Sequence, residues 1–512
     1  MPDLPEVNLF GPHWRQFGRW YYRGRALRGE TMLDPAELPE TMEPAGFARL
    51  CRELNGCFAL IYRDDRCLLA GVDRCRSIPL FYGPGLVTDR PAAAGLTPVP
   101  QLLADNCWPD LEFLPGRRTI FVGTESLCPA EYLCHDKEGR KIAPYHRHDL
   151  DKASSAGLTG LSLELAARLR TAATRAIRLA GGRPLTVLLS AGYDSRILLA
   201  ALCEQLPAAR RPAALTYGLP GGEIDRRTAA ICARLGVRRT FVDYGNSEHS
   251  DFLAAHYPAL IRNGGNGQSV PQEQDFYAVW RAGADGALPK NSLLLPGICG
   301  DFQAGSFAPP FALRTSHGRR EAQRRTWLLS RLAGRMDGVA AARRYRGLLE
   351  EGGLPESPSE REVVGWAERI FIRERVAKQT TTTLRGYEQL GYDYLLPLWD
   401  NDFIGFWRKV PLGLRRYQTL YRHCLREHFF GPAGIVYSDE PRRILPDPRR
   451  RLRGMLPAGL ADLIAPATRT EDDDLMLPAV RAWAGAWVPA ARRAGAGTNE
   501  VLGWATAAVW EG

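Results

Sequence analysis

Residues 185–195 read LTVLLSAGYDS, and the stretch RILLAAL follows directly. The first five residues are almost wholly apolar, which is typical of a central parallel strand. Small residues then allow a tight turn that runs into a helix N-terminus, where backbone N–H groups and the helix dipole attract anions. The hydroxyls of Ser190 and Ser195 add hydrogen-bond donors. This serine turn (residues 190–195) therefore predicts a phosphate or pyrophosphate site.

The serine turn is not a Walker A loop, which needs the pattern Gly-x-x-x-x-Gly-Lys-Ser/Thr. On six residues alone, a serine-capped helix start without a ligand is the alternative. A second stretch argues against that alternative, because residues 293–305 read LLLPGICGDFQAG, another apolar strand before a Gly-rich turn. In this aspartate turn (residues 297–301), Asp301 is placed to hold Mg²⁺ on a departing pyrophosphate.

Strands and helices alternate around the serine turn, which predicts a doubly wound α/β domain. The predicted helices span residues 161–179 and 226–235, and the predicted strands span residues 185–189, 213–217, 240–242 and 293–295. The first part of the chain, to about His148, is predicted to be strand-rich, with strands at residues 57–62, 67–72, 119–122 and 131–134. Residues 151–160 predict a linker, and the chain after Gly318 is predicted to be mostly helical. We therefore expect two domains, 1–150 and 160–512.

The chain has 512 residues, with 67 Lys and Arg against 57 Asp and Glu, so its formal net charge is +10. That balance suits an anionic partner such as a nucleotide, a nucleic acid, an acidic sugar or a membrane surface, without choosing among them. No apolar run approaches the ~18 residues that span a bilayer, and the start of the chain lacks the pattern of a secretory signal. The 11 cysteines include no Cys-x-x-Cys pair. This favours free thiols in a reducing cytoplasm over a zinc or iron–sulfur site.

A basic segment near the C-terminus carries six arginines and one Asp among prolines in residues 442–454. Such a segment is typical of a solvated loop near an anionic active site, which is the interpretation we prefer. An arm that binds nucleic acid is the alternative.

The serine turn resembles the pyrophosphate loop of the N-type ATP pyrophosphatases, which is written Ser-Gly-Gly-x-Asp-Ser. Here Ala191 stands in place of the first Gly. The resemblance implies that ATP contacts a set of residues of both turns. That set is Ser190, Ala191, Gly192, Tyr193, Asp194, Ser195 and Gly297.

The aspartate turn resembles the Ser-Gly-Glu-Gly-x-Asp-Glu loop of asparagine synthetases. Gly297, Gly300 and Asp301 match that pattern, whereas Ile298 and Phe302 replace its two Glu residues. The resemblance implies that Asp194 and Asp301 bind Mg²⁺. The two missing Glu residues leave part of the acid–base equipment of true asparagine synthetases without a counterpart.

The resemblance extends in both directions from the two turns. Residues 54–59 (LNGCFA) and 73–82 (DRCRSIPLFY) resemble segments of the family's glutaminase domain, and residues 375–378 (RVAK) and 397–400 (PLWD) resemble its Arg-x-x-Lys helix and Pro-Phe-Leu-Asp turn. The chain is thus similar to the asparagine synthetase superfamily from residue 1 to about residue 430. This implies an Ntn-hydrolase-like α+β sandwich followed by an ATP pyrophosphatase domain with a helical C-terminal part.

The same match to the family implies catalytic roles for three further residues. Asp393 stands for a family Glu, and Arg422 stands for the Lys that stabilises charge in the acyl-adenylate step. Lys378 ends the Arg-x-x-Lys match. Arg422 keeps the positive charge but not the compact ammonium group.

The resemblance implies an ATP-dependent, amide-forming ligase that adenylates a small-molecule carboxylate and transfers it to ammonia or an amine. ATP and Mg²⁺ are the implied cofactors, and nucleic acid is not an expected partner. Glutamine-dependent members carry a catalytic Cys after the initiator Met, where this sequence has Pro2. We therefore expect an inactive glutaminase domain. The nitrogen would come from free ammonia, a partner amidotransferase or an amine on the substrate.

The sequence does not identify the substrate. Pro2, Tyr193, Arg196 and the segment RSIPLFY resemble synthetase-like proteins of bacterial surface polysaccharides, which are thought to amidate sugar acids. Lasso-peptide macrocyclases and β-lactam synthetases share the same degenerate architecture, so intramolecular amide closure remains the alternative. A nucleotide-binding pseudoenzyme is a further alternative because of Ile298 and Phe302. A tRNA-modifying enzyme would fit the basic charge but not the lack of paired cysteines.

Overall fold

The computed structural model describes residues 4–99, 112–306, 358–435, 471–490 and 498–511, which form a mixed α/β structure. The strands are β1 Glu6–Asn8, β2 Arg15–Phe17, β3 Trp20–Arg28, β4 Thr31–Met32, β5 Leu54–Arg63, β6 Leu68–Val72, β7 Phe81–Gly83, β8 Leu86–Thr88, β9 Glu125–Ser126, β10 Glu131–Asp136, β11 Gly139–Pro144, β12 Leu185–Leu188, β13 Ala213–Gly218, β14 Arg239–Asp243, β15 Leu293–Pro296 and β16 Asp393–Tyr394. The longer helices are α1 Pro44–Glu53, α2 Leu158–Ala180, α3 Tyr193–Gln205, α4 Glu223–Leu235, α5 Glu248–Leu260, α6 Phe276–Ala284, α7 Glu360–Phe371, α8 Thr383–Gln389, α9 Asn401–Lys409, α10 Thr419–Leu425, α11 Glu471–Trp483 and α12 Thr498–Glu511.

Two sheets pack face to face in the first part of the chain. The larger is antiparallel, in the order β11-β10-β6-β5-β3-β2 with β4 beside β3, and the smaller has the order β1-β8-β7-β9. Ile61 and Ala70 of the larger sheet meet Leu80 and Val87 in one buried cluster. Helix α1 covers the outer face of the larger sheet with Phe47. The predicted strand-rich first part is therefore confirmed.

One predicted strand of this part is wrong. Residues 119–122 form a turn, not a strand. The hydroxyl of Thr119 donates to the carbonyl of Thr124 at 2.8 Å and accepts the N–H of Phe121 at 3.1 Å. Gly123 follows with a φ of 64°. The segment makes one isolated bridge, between Phe121 and Pro98, and the Ile120 N–H donates to the Gly267 carbonyl at 3.0 Å, so it forms no continuous ladder.

The second part of the chain is built on an all-parallel sheet in the order β14-β13-β12-β15-β16. Counted along the chain, this order is 3-2-1-4-5, which reverses between β12 and β15. Helices α2 and α3 pack on one face of the sheet, and α5, α6 and α8 pack on the other. The predicted doubly wound arrangement is confirmed, and ligands of such sheets bind beyond the carboxyl ends of the strands at the reversal.

Of the predicted linker at residues 151–160, residues 151–157 form neither helix nor strand, whereas residues 158–160 begin helix α2. Helix α2 then runs to Ala180 and ends at Gly181, whose φ of 58° is the left-handed conformation that glycine adopts readily. The linker is tied to the second part, because the N–H of Asp151 donates to the carbonyl of Arg408 at 3.0 Å.

The two parts also meet through buried polar contacts. The side chain of Asn55 donates to Asp400 at 2.7 Å, and Arg76 donates to Gln268 at 2.7 Å. Buried Phe113 and Phe121 belong to the same apolar cluster as residues of α5 and α6. The first part is thus packed into the second.

The described cysteines are free thiols, and all of them are buried except the half-buried Cys299. Among the described helices, none has the length and apolar character needed to cross a lipid bilayer. The basic segment at residues 442–454 lies outside the described residues.

Candidate active site

The serine turn lies at the carboxyl end of β12 and leads directly into α3. The side-chain oxygens of Ser190 and Ser195 are 3.0 Å apart. The N–H of Gly192 donates to the Ser190 hydroxyl at 3.1 Å, and the N–H of Ser190 donates to the Ser195 hydroxyl at 2.9 Å. Ser190 and Gly192 are exposed, so the N-terminal end of α3 is open to a ligand.

The serine turn is supported from behind by Arg196. Its Nε donates to the carbonyl of Gly192 at 3.0 Å. Its guanidinium lies 5.1 Å from the centre of the Tyr193 ring and 5.3 Å from that of Phe430. Cation–π contacts with these two rings hold the Arg196 guanidinium in place. Ala191 is half-buried in the same turn.

The aspartate turn lies beside the serine turn because β15 pairs with β12 in parallel. The N–H of Asp301 donates to the carboxylate of Asp194 at 2.9 Å. Two glycines permit this approach. A Cβ at Gly297 would lie 2.6 Å from the backbone nitrogen of Ser195, and a Cβ at Gly300 would lie 2.9 Å from the carboxyl carbon of Asp194. The structure therefore brings the two turns together.

Gly297→Ala is expected to push the turns apart and to destabilise the protein by about 1–3 kcal/mol, because the new methyl group meets backbone instead of a flexible side chain. Urea unfolding measures this change. Gly405→Ala is the matched control, since Gly405 lies in α9 with no atom near its missing Cβ. Alanine there should stabilise the helix by about 0.5–1 kcal/mol. Equal effects of the two substitutions would contradict the close approach.

Asp194 is a buried carboxyl, 8 % exposed, between the two turns. Burial and the nearby Asp301 carboxylate raise its pKa to about 8. Asp301 is exposed at the mouth of the site, and its own carboxylate accepts the N–H of Phe302 at 2.7 Å. Two carboxylates that repel each other form a place where a cation is stabilised.

The donor set fits Mg²⁺ better than a transition metal. In the described ranges, no group of three or more His, Cys, Asp or Glu side chains is arranged to hold a metal ion. Mg²⁺ commonly takes one or two protein carboxylates and completes its shell with phosphate oxygens and water. Asp194 and Asp301 supply that number.

Helix α10 contributes a site residue that the sequence analysis missed. The hydroxyl of Tyr421 donates to the Asp194 carboxylate at 3.0 Å, and Tyr421 is fully buried. The helix follows Tyr417 and Gln418, which both have positive φ values, 56° and 58°. Such strained conformations cluster at functional sites. The only sequence signal for Tyr421 was its place before Arg422.

Arg422 and Lys378, two of the predicted catalytic residues, lie in different parts of the structure. Arg422 is half-buried on α10, next to Tyr421, so its helix does reach the site. Lys378 is buried between the two parts of the chain, where its amine donates to the carbonyls of Leu114 and Gly116 at 2.7 and 2.6 Å and to Glu374 at 2.6 Å. Burial lowers the pKa of Lys378 to about 8. These contacts place Lys378 in the packing between the parts.

The structure does not bring Asp393 to the two turns. Asp393 is the first residue of β16 and pairs in register with Leu293, the first residue of β15. It therefore lies at the amino-terminal edge of the sheet, whereas both turns lie at the carboxyl edge. There it forms ion pairs with Arg183 and with His13, the latter at 3.5 Å. The motif spacing matched the family, but the register of the short strand moved the carboxylate away from the turns.

No protein-family model matches the chain, and a search of curated proteins finds no match.

A cleft of about 770 Å³ lies at the same edge of the sheet, beyond the ends of β13 and β14. Leu219, Ile224, Tyr244 and Ser247 line it, and Ala479 of α11 closes one side. A volume in this range is typical of pockets for small organic ligands. The edge thus offers an anion site and a larger cleft side by side.

Proposed function

We propose that the protein is an ATP-dependent, amide-forming ligase of the asparagine synthetase type. The observation that carries the proposal is the position of the Asp194 carboxylate, which accepts the Asp301 N–H and so joins the two turns at the reversal of the sheet. An anion site and a carboxylate pair at one point suit a substrate that carries both phosphate and Mg²⁺.

In this proposal the ATP phosphates contact the serine turn, whose donors are the backbone N–H groups and the hydroxyls of Ser190 and Ser195. Mg²⁺, when bound by Asp194 and Asp301, neutralises the charge of the departing pyrophosphate. Arg422 adds positive charge from α10. The cleft beyond β13 and β14 has room for the remainder of the nucleotide or for the carboxylate substrate.

The proposed reaction has two steps. A carboxylate oxygen of the substrate attacks the α-phosphorus of ATP, and the bond from that phosphorus to the bridging oxygen of pyrophosphate breaks. A nitrogen of ammonia or an amine then attacks the acyl carbon and loses a proton, and AMP leaves. The protein positions the reactants and stabilises charge. A sugar acid of surface polysaccharide synthesis is the substrate we propose first, and intramolecular amide closure is the second candidate.

The test is ATP–pyrophosphate exchange with a panel of carboxylates, including sugar acids. Ser195→Ala and Asp301→Asn are each expected to lower the exchange rate by ~10²-fold or more, as the loss of a charge-positioning group typically does. Ser154→Ala and the exposed Asp251→Asn are the matched controls and should exchange normally. ATP binding without exchange for any carboxylate would favour the nucleotide-binding pseudoenzyme instead.

Tyr421→Phe is expected to lower the rate of pyrophosphate exchange about tenfold, because it removes a hydrogen bond to a group that is charged in the working site. The exchange rate at saturating ATP measures the effect, and circular dichroism checks the fold. The exposed Tyr417 provides the control substitution Tyr417→Phe. Unchanged exchange in Tyr421→Phe would show that the hydroxyl serves packing alone.

We predict no cysteine-dependent glutamine hydrolysis by this protein. The described cysteines of the first part are buried, and burial raises the pKa of Cys57 to about 12 and that of Cys134 to about 11. A neutral thiol is a poor nucleophile. Glutamate release is measured with glutamine and ATP present. Release that disappears when one cysteine is replaced would contradict the prediction.

A further inference from the structure

A second cleft lies at the amino-terminal edge of the parallel sheet, on the side away from the two turns. It has a volume of about 270 Å³ and is formed where β12 and β13 begin, together with Leu206, Ala209 and Ser292. Ligands of doubly wound sheets usually bind at the opposite edge. The usual ligand site of such sheets therefore does not account for this amino-edge cleft.

The amino-edge cleft is strongly basic. Four arginines line it, Arg183, Arg210, Arg211 and Arg238, and no Asp or Glu is among its lining residues. Arg183 is compensated, because it forms an ion pair with Asp393 outside the cleft. Within the described part of the chain, Arg210, Arg211 and Arg238 form no ion pair. Three uncompensated guanidinium groups thus surround a small concave space.

Two buried donors in the amino-edge cleft also lack partners. Ser292 is fully buried, and its hydroxyl forms no hydrogen bond with any described residue. The same is true of Nε of Arg211, although another nitrogen of that guanidinium donates to the carbonyl of Leu235 at 2.6 Å. Buried donors are normally satisfied, and leaving one unpaired is unfavourable.

Interaction with helix C-termini accounts for only some of the arginines that line the cleft. Helices α2 and α3 end beside the cleft, and cations near a helix C-terminus are stabilised by its dipole. Arg211 donates to the carbonyl of Leu235, the last residue of α4, whereas the Asn291 carbonyl that accepts from Arg183 belongs to a turn. Arg210 and Arg238 are exposed and their side chains donate to no described carbonyl, so capping does not account for them.

We propose that the amino-edge cleft binds a small, soluble anion of the phosphate monoester class. Guanidinium groups match the oxygens of a phosphate in pairs, and Arg210 and Arg238 are exposed and able to reach such a ligand. Its volume of about 270 Å³ has room for a small phosphate monoester. This site is independent of the proposed ligase activity, because it shares no residue with the two turns.

Calorimetric titration with glycerol 3-phosphate tests the proposal, with glycerol as the uncharged control. Saturable binding in the millimolar range or tighter is expected for glycerol 3-phosphate alone. Because the serine turn can also attract phosphate, the titration is repeated in Ser190→Ala/Ser195→Ala, where binding at the cleft should persist. Arg210→Ala/Arg238→Ala is expected to lower the affinity about tenfold or more.

Arg49→Ala/Arg63→Ala is the matched control, since it removes the same charge from exposed positions of the first part. It should change the affinity less than about twofold, because surface charges beyond a Debye length are screened. The proposal is overturned if the wild-type protein shows no saturable binding, if both double variants lose affinity equally, or if Arg210→Ala/Arg238→Ala binds normally. Binding that disappears in Ser190→Ala/Ser195→Ala would assign the phosphate to the serine turn and would also overturn it.

Discussion

Asp194→Asn should make the protein more stable while it lowers pyrophosphate exchange by ~10²-fold or more. The buried Asp194 carboxyl has a pKa of about 8 instead of its ordinary 3.8, because burial and Asp301 disfavour its charged form. Asparagine keeps the oxygen that accepts the Asp301 N–H or the Tyr421 hydroxyl, but it carries no charge. The variant therefore lacks the carboxylate proposed to bind Mg²⁺. It also avoids the unfavourable free energy of burying a charged carboxylate.

The stability difference should depend on pH with a defined sign. Between pH 3.8 and about 8 the folded protein holds a proton that the unfolded chain has released. The free energy of unfolding of the wild type therefore falls as pH rises through this window, whereas the variant lacks this contribution. We expect the variant's advantage to be small near pH 4 and to reach a plateau above pH 8 of up to roughly 6 kcal/mol, the equivalent of a pKa shift from 3.8 to about 8.

Urea unfolding at several pH values, without Mg²⁺, measures this difference. Asp251→Asn is the control, because Asp251 is exposed on α5 and its replacement should show no such trend. Excess Mg²⁺ should narrow the gap, since it stabilises the ionised carboxylate of the wild type alone. A variant that is less stable than the wild type at pH 8 would show that the Asp194 charge is well compensated in the fold.

The serine turn and the aspartate turn were predictable from the sequence because each combines an apolar strand with small residues at fixed spacing. Their meeting follows once β12 and β15 are neighbours in a parallel sheet. Tyr421 was not predictable in the same way. It reaches Asp194 from a helix 227 residues further along the chain, and one tyrosine in a helix has no local signature.

The register of the short strands was not predictable from the sequence. Motif spacing placed Asp393 among the catalytic residues, but spacing along the chain does not fix which edge of a sheet a residue occupies. Strand β16 has two residues, which pair with the first two residues of β15, and this register puts Asp393 at the amino-terminal edge. The amino-edge cleft was missed for a related reason. Its arginines come from three separate stretches of the chain, at residues 183, 210–211 and 238, which meet only where the parallel strands begin.

The contact between the two parts of the chain includes a buried ionic cluster around Glu388. Its carboxylate pairs with Arg23 and, at 2.8 Å, with Arg385, and it accepts the hydroxyl of Tyr394 at 3.1 Å. Arg23 belongs to the first part and also lies 3.3 Å from Asp89. Burial alone would raise the pKa of Glu388, but Arg23 and Arg385 hold it below its ordinary value.

Glu388→Ala is expected to destabilise the protein by about 3–5 kcal/mol, because it leaves Arg23 and Arg385 buried without their shared partner. Glu53→Ala, which removes an exposed partner of Arg28, should cost less than about 1 kcal/mol. The loss of stability in Glu388→Ala should be present above pH 4.5 and should shrink as the wild-type carboxyl is protonated below that pH.

Hydrogen exchange shows whether the loss of stability affects one part of the chain or both. Because the cluster joins β3 to α8, amides of β5 in the first part and of β12 in the second should lose protection together. A variant that loses protection only in β5 would show instead that the first part unfolds as a separate domain.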